Sequence, residues 1–324
     1  MGRIVVTGAA GFIGTNIVRA LNARGCDDIL TVDRLGDGEK WRNLRAQRFA
    51  HYMDKDEFRE LFTDDSLAED IDAVIHMGAC SSTTETDADY LADNNYRYTR
   101  DLCRWCLEHD ARFVYASSAA TYGGGERGYS DDDDVTPSLQ PLNMYGYSKQ
   151  MFDLWLLRNG LQDRVAGLKF FNVYGPWEEH KGDMRSVVNK AHGLIRETGR
   201  MGLFKSYRDD YPDGGQVRDF VYVRDAVEVV LHFLDHRGTG GIFNCGCGEA
   251  RSWLDLANGL FAAMGREPAV DFIEMPEHLR RKYQYHTEAD LKKLRAAGYD
   301  APFTSLEDGI ADYVRTHLDP LADA

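Results

Sequence analysis

The chain has no apolar run near the ~18 residues that a membrane-spanning helix requires, so no membrane span is expected. It has no surplus of positive charge: 38 Lys and Arg stand against 53 Asp and Glu, a net charge of -15. That weighs against a nucleic-acid partner, which asks for a basic face. It also means that an anionic ligand must be met by locally placed Arg and Lys. There is no cysteine framework. Six cysteines are scattered, and the one C-x-x-C, Cys103 and Cys106, falls in a helix-like run. They read as small buried hydrophobes carrying reduced thiols in a reducing compartment. There is no internal repeat and no low-complexity linker. The first strand-like run begins at Arg3, leaving no room for a secretion signal. Val6 stands where a myristoylation motif wants Ser or Thr. A cytoplasmic protein is therefore expected. His232 and His236 lie four apart with no Glu between them, so no metal site is expected. The acidic run Asp131 to Asp134 reads as a solvated loop.

What is present is a core-forming chain of 324 residues, 43% hydrophobic, long enough for two domains or one large one. "RIVVTG" reads as a short buried strand. "GAAGFIG" follows, and then a helix-like run, "TNIVRALNARG". "DILTVDR" makes a second strand ending at Asp33. In this βαβ unit Gly8 allows the tight turn, Gly11 lets a pyrophosphate approach the backbone, and Gly14 lets helix pack on strand. The helix N-terminus offers free N–H groups to the phosphate. Asp33, nineteen residues beyond Gly14, is placed to bind a ribose. A carboxylate there favours the free hydroxyls of NAD. Arg34 and Lys40 beside it could grip the 2′-phosphate of NADP instead, and the residues alone leave both open. "DAVIHMGACSS" and "RFVYASSAATYGG" repeat the strand-then-small-loop pattern. They bring Gly78, Ala79 and Ser118 to the same strand-end cleft.

"NMYGYSK" opens a helix in which Tyr145 and Lys149 lie four apart and share a face. Tyr147 faces elsewhere and reads as packing. A free phenol has a pKa of ~10, and a nearby ammonium pulls it down toward use as a base. Ser118 can hold a substrate oxygen beside the phenol. Together they can take a proton from an alcohol while the neighbouring carbon gives hydride to nicotinamide.

The G-x-x-G-x-x-G spacing and the Ser, Tyr-x-x-x-Lys set resemble the extended short-chain dehydrogenase/reductase family. Eight further stretches narrow the likeness: "GACSSTTETD", "DNNY", "YASSAATYGG", "LNMYGYSK", "FFNVYGP", "EEHKGDM", "RDFVYV" and "AAGYDAPF". Together they resemble the heptose 6-epimerases, which use NADP to epimerise a side-chain carbon of a nucleotide-linked heptose for lipopolysaccharide core synthesis. Carried to matching positions, the resemblance implies that Phe12 and Ile13 follow the phosphate turn. Asp33, Arg34, Lys40 and Lys55 lie around the adenosine end. Met77, Gly78, Ala79, Cys80, Ser81 and Asn94 line the cofactor groove. Lys149 holds the nicotinamide ribose, and Val173 touches the cofactor. Lys181 of "EEHKGDM" both meets the cofactor and serves as a second acid/base. Asn172, Phe204, Lys205, Ser206, Tyr207, Arg218 and Tyr283 match substrate positions, as do Asp183 and Lys190, where the family pattern has Ser and His. Arg218 also makes sense by itself, because a diphosphate needs a cation. The family often has a neutral residue at Arg34, and the loop from Tyr207 to Gln216 is longer and more acidic than expected.

The fold expected is α/β: a Rossmann doubly wound parallel sheet over about residues 1–170, with chain crossing back near 217–240. A smaller mixed α/β substrate-binding domain occupies mainly 171–324. The function expected is epimerisation at C6 of ADP-D-glycero-D-manno-heptose, with NADP as cofactor and NAD as the alternative, in a homo-oligomer that the resemblance makes a pentamer. A sugar 4-epimerase and a non-catalytic dinucleotide sensor are the rivals. A 4,6-dehydratase is disfavoured, because Ala119 and Ala120 stand where its acid/base carboxylates would be.

Overall fold

The computed structural model describes residues 2–67, 70–280 and 283–320. Twelve strands follow in chain order: β1 (Arg3–Thr7), β2 (Ile29–Asp33), β3 (His51–Asp54), β4 (Ile71–His76), β5 (Arg112–Ser118), β6 (Ala166–Phe170), β7 (Asn172–Tyr174), β8 (Met201–Phe204), β9 (Val217–Tyr222), β10 (Gly241–Cys245), β11 (Ala250–Ser252) and β12 (Val270–Ile273). Seven of them form one parallel sheet in the order β10-β6-β5-β4-β1-β2-β3. The order reverses between β1 and β4, and a crevice opens there at the carboxyl ends of the strands.

The sequence explains the layering. Ile4, Val5, Val6, Ile29, Leu30 and Val32 are fully buried, as expected for strands covered on both faces. The helices Phe12–Ala23 and Val223–Asp235 pack on one face, through Ile17, Val18, Val227 and Val230. The helices Lys55–Thr63, Tyr98–Glu108 and Met144–Arg158 cover the other, through Phe58, Leu102, Phe152 and Leu156. Cys103 and Cys106 lie buried in the second of these helices, and burial raises both thiols.

The crossing back near 217–240 has two parts. β9 stays with β7 and β11 in a three-stranded sheet, while the helix Val223–Asp235 and β10 rejoin the large one. β8 and β12 form a third, two-stranded sheet. No described helix is long and apolar enough to cross a membrane, and no described cluster of three or more His, Cys, Asp or Glu could hold a metal. The acidic run is not simply solvated. Asp131 is buried, accepts the Asn244 backbone N–H at 2.7 Å, and burial pushes its carboxyl up to about 6. Lys293 binds the Asp131 carbonyl and the Asp133 carboxylate, closing the loop onto the helix Lys292–Ala296.

Candidate active site

One cavity of about 790 Å³ runs along the crevice. Gly8, Gly11, Phe12, Ile13 and Gly14 line it from the loop after β1. Asp33 and Arg34 come from the end of β2, followed by Lys40 and Lys55. Met77, Gly78, Ala79, Cys80 and Ser81 come from the loop after β4. Asn94, Ser118, Tyr145, Lys149, Asn172, Val173 and Lys181 complete the set.

The floor fits a dinucleotide. Gly8 has φ of 66°, and a Cβ on it would lie 2.8 Å from the Gly78 nitrogen. A Cβ on Gly14 would collide with the Gly8 carbonyl. The helix Phe12–Ala23 begins with no side-chain cap and no acid in its first turn, which leaves its leading N–H groups for an anion. Beneath the turn, Thr7 accepts the Gly78 N–H at 3.0 Å and donates to His76 Nδ1 at 2.7 Å. His76 Nε2 donates to Thr99 at 2.9 Å, and Thr99 donates to the Asn95 carbonyl. This one-way chain assigns a neutral imidazole, which burial holds at about 3. When bound, the dinucleotide supplies a reversible hydride acceptor here.

Asn143 caps the helix Met144–Arg158 by accepting the Gly146 N–H, which fixes the register of Tyr145 and Lys149 on one face. Their electrostatics differ from the sequence expectation. Burial raises the Tyr145 phenol above its ordinary value, and a hydrogen bond from Ser118 pulls partly back. The Lys149 ammonium is spent elsewhere: Nζ donates to the Ala116 carbonyl at 2.7 Å, and burial lowers it to about 8. Desolvation therefore outweighs the pairing that sequence proximity suggested. Tyr147 is 47% exposed, so it is a surface residue and does not pack in the core.

A buried ion pair braces this corner. Lys169 Nζ lies 3.1 Å from Asp153 Oδ2, with both side chains fully buried. Asp153 also accepts Tyr115 and Ser117, while Lys169 donates to Thr121, which donates to the Ser118 carbonyl. Asp153→Asn should lower the unfolding free energy by ~3–5 kcal/mol, because it strands the Lys169 charge. The double variant Asp153→Asn/Lys169→Met should recover part of that loss in a denaturant titration. An additive double variant would show that the two charges do not depend on each other.

Lys181 sits in the tight turn Glu179–Met184, where Gly182 has φ of 55°. Its Nζ stands 5.1 Å above the Phe12 ring, and burial lowers it from its ordinary value while Glu178 partly offsets this. Glu178 is fully buried and accepts the Ser186 N–H, the Ser186 hydroxyl and the Tyr313 hydroxyl. It thereby pins both ends of the turn. Asp183 and Lys190 lie outside the cavity lining: both are exposed, and Lys190 donates to the Asp183 carbonyl at 3.0 Å.

The remaining substrate candidates divide in two. Arg218 is buried with its guanidinium between the rings of Tyr283 and Trp253, at 5.1 and 5.6 Å, and Phe204 meets Tyr283 edge-on. Trp253 also lines the main cavity, so this cluster adjoins it. Arg218 donates to the Val217 and Gln284 carbonyls and forms no ion pair among the described residues. Lys205 and Tyr207 instead reach outward to Glu274, and Ser206 turns back on Arg208 and Asp213. Sequence reasoning passed over Trp253, Glu178, His180 and the Asp153–Lys169 pair. The i,i+4 spacing of Lys149 and Asp153 gave a local signal for one of them, and Glu178 and His180 stood in "EEHKGDM" without being given a role.

The profile of the NAD dependent epimerase/dehydratase family matches residues 4–246. The chain belongs to this family. Within it, the chain is 56% identical over 314 residues to an ADP-L-glycero-D-manno-heptose-6-epimerase of Nitratidesulfovibrio vulgaris (strain DP4), covering 97% of each. It is 48% identical over 326 residues to the protein of that name from Fusobacterium nucleatum subsp. nucleatum, covering 97% of this chain and 98% of the relative. Among solved structures, the Helicobacter pylori ADP-L-glycero-D-manno-heptose-6-epimerase superposes with a TM-score of 0.80 at 26% identity, covering 97% of this chain and 95% of the other. A Thermus thermophilus UDP-glucose 4-epimerase complex with NAD gives 0.74 at 26% identity, covering 96% and 97%. The Rossmann sheet and its smaller partner are thus the family's architecture.

Proposed function

We propose that the chain is an epimerase that inverts C6 of the heptose in ADP-D-glycero-D-manno-heptose. The product, ADP-L-glycero-D-manno-heptose, is a precursor of lipopolysaccharide core. The observation that carries this is the presence, in one cavity, of the Ser118, Tyr145 and Lys149 set and of a second, half-buried ammonium, Lys181. Inversion through a ketone needs reduction from the opposite carbonyl face, so proton transfer is required from two directions. Tyr145 takes the C6 hydroxyl proton while Ser118 holds the oxygen. The ketone turns, and Lys181 returns a proton on the other side. The Arg218, Tyr283 and Trp253 cluster beside the cavity suits a diphosphate, since a buried guanidinium with no carboxylate partner among the described residues gains most from an anion. NADP is the cofactor in this reading, supported by Lys40 and Arg34 around Asp33. Cytoplasmic location and a homo-oligomer belong to the same reading, which the six free thiols support as to compartment.

Each ADP-heptose epimer, incubated separately with the protein and no added reductant, should converge on the same mixture. Conversion of UDP-hexoses instead would make the chain a 4-epimerase. No conversion with dinucleotide binding intact would make it a sensor.

A further inference from the structure

His180 lines the cavity next to Lys181 and has no role in the chemistry above. Its Nδ1 lies 3.1 Å from Asn43 Nδ2. That same nitrogen lies 2.9 Å from the Ala10 carbonyl and 3.3 Å from the Trp177 carbonyl, so it is the amide NH₂ and His180 Nδ1 must accept. The ring proton is therefore on Nε2, which has no hydrogen-bond partner among the described residues. Asn43 ends the turn Glu39–Asn43 that carries Lys40. The turn bearing His180 and Lys181 is thus docked onto the turn bearing Lys40.

The surroundings select an anion. The Asp33 carboxylate already accepts the Ala10 N–H at 2.8 Å, the Arg34 N–H at 2.7 Å and Lys40 Nζ at 2.6 Å. With three of its acceptor sites taken, little remains for a pair of ribose hydroxyls. What the corner still offers is an ammonium, the exposed Arg34 guanidinium and an imidazole N–H.

We propose that His180 is a cofactor-selectivity residue, its Nε2–H donating to a 2′-phosphate oxygen of NADP beside Lys40 and Arg34. The proposal rests on the NADP reading above. The groups facing the ring are Lys40 and Lys181, which disfavour its charged form, and Asp33 and Glu179, which favour it; burial dominates and holds it at about 4. Donation from Asn43 to Nδ1 acts in the same direction. His180 therefore serves as a neutral donor throughout the physiological range, and its contact does not depend on proton uptake.

Equilibrium titration with NADP and with NAD, read by calorimetry or nicotinamide fluorescence, tests this without turnover. His180→Leu should weaken NADP roughly 10- to 100-fold, the range for a hydrogen bond to a charged group, and leave NAD within a few-fold. His180→Gln, which can present an amide N–H near the same place, should retain most of the preference. Equal weakening of both dinucleotides would overturn the proposal by assigning His180 to the pyrophosphate or to the fold. Unchanged NADP binding in His180→Leu would overturn it while sparing the NADP reading. A wild-type preference for NAD would overturn both.

Discussion

Lys181→Met is expected to lower epimerisation by ~10²-fold or more, the usual cost of losing an acid/base group. Met keeps most of the side-chain bulk above Phe12 and removes the ammonium. The turn should survive, because Glu178 keeps its donors from Ser186 and Tyr313. The discriminating readout is a redox probe that needs only the Tyr145 face, such as dismutation of a matching sugar aldehyde. That activity should persist in Lys181→Met. Loss of both activities with dinucleotide binding intact would make Lys181 a substrate-positioning residue. Unchanged epimerisation would reduce it to a loop lysine.

Tyr145→Phe should abolish both activities, each by at least ~10²-fold, while dinucleotide binding remains. A factor of 10² corresponds to ~2.7 kcal/mol of transition-state stabilisation. The phenol is held in its neutral form by burial, and its hydrogen bond from Ser118 is the local influence favouring phenolate. The Lys149 ammonium must leave the Ala116 carbonyl, or share itself, before it can support the phenolate. Activity should consequently depend on Lys149 remaining charged, and it should decline as pH rises through the Lys149 value near 8. Tyr147→Phe, at an exposed position on another helix face, is the control and should be nearly silent. If the two tyrosine variants behaved alike in kcat, the assignment of the proton-transfer group would fail.

The sheet was legible because β1 and β2 are short runs rich in β-branched residues, and a glycine turn with one workable geometry follows the first. The crevice followed, since parallel strands deliver their loops to one edge. Tyr145 and Lys149 were legible as neighbours because a helix imposes its period on any sequence. Their protonation was not, because desolvation depends on what the rest of the chain stacks over them. Distant partners left no local trace. Glu178 and Tyr313 are 135 residues apart, Asn43 and His180 are 137 apart, and neither pairing follows from spacing. Asp131 shows the same limit: four aspartates in a row resemble a surface loop until Asn244 supplies a backbone donor.

The Glu178–Tyr313 contact has a consequence for how the protein is made. Ser118, Tyr145 and Lys149 leave the ribosome long before Tyr313, and their strand and helix can pack as soon as β6 arrives. The turn bearing Lys181 obtains its buried tyrosine partner only when the helix Leu306–Tyr313 has been synthesised and has docked. A nascent chain can therefore pack the Ser118, Tyr145 and Lys149 corner before the turn bearing Lys181 has its buried tyrosine partner, so in the proposed mechanism the second acid/base is the later of the two to be fixed in place.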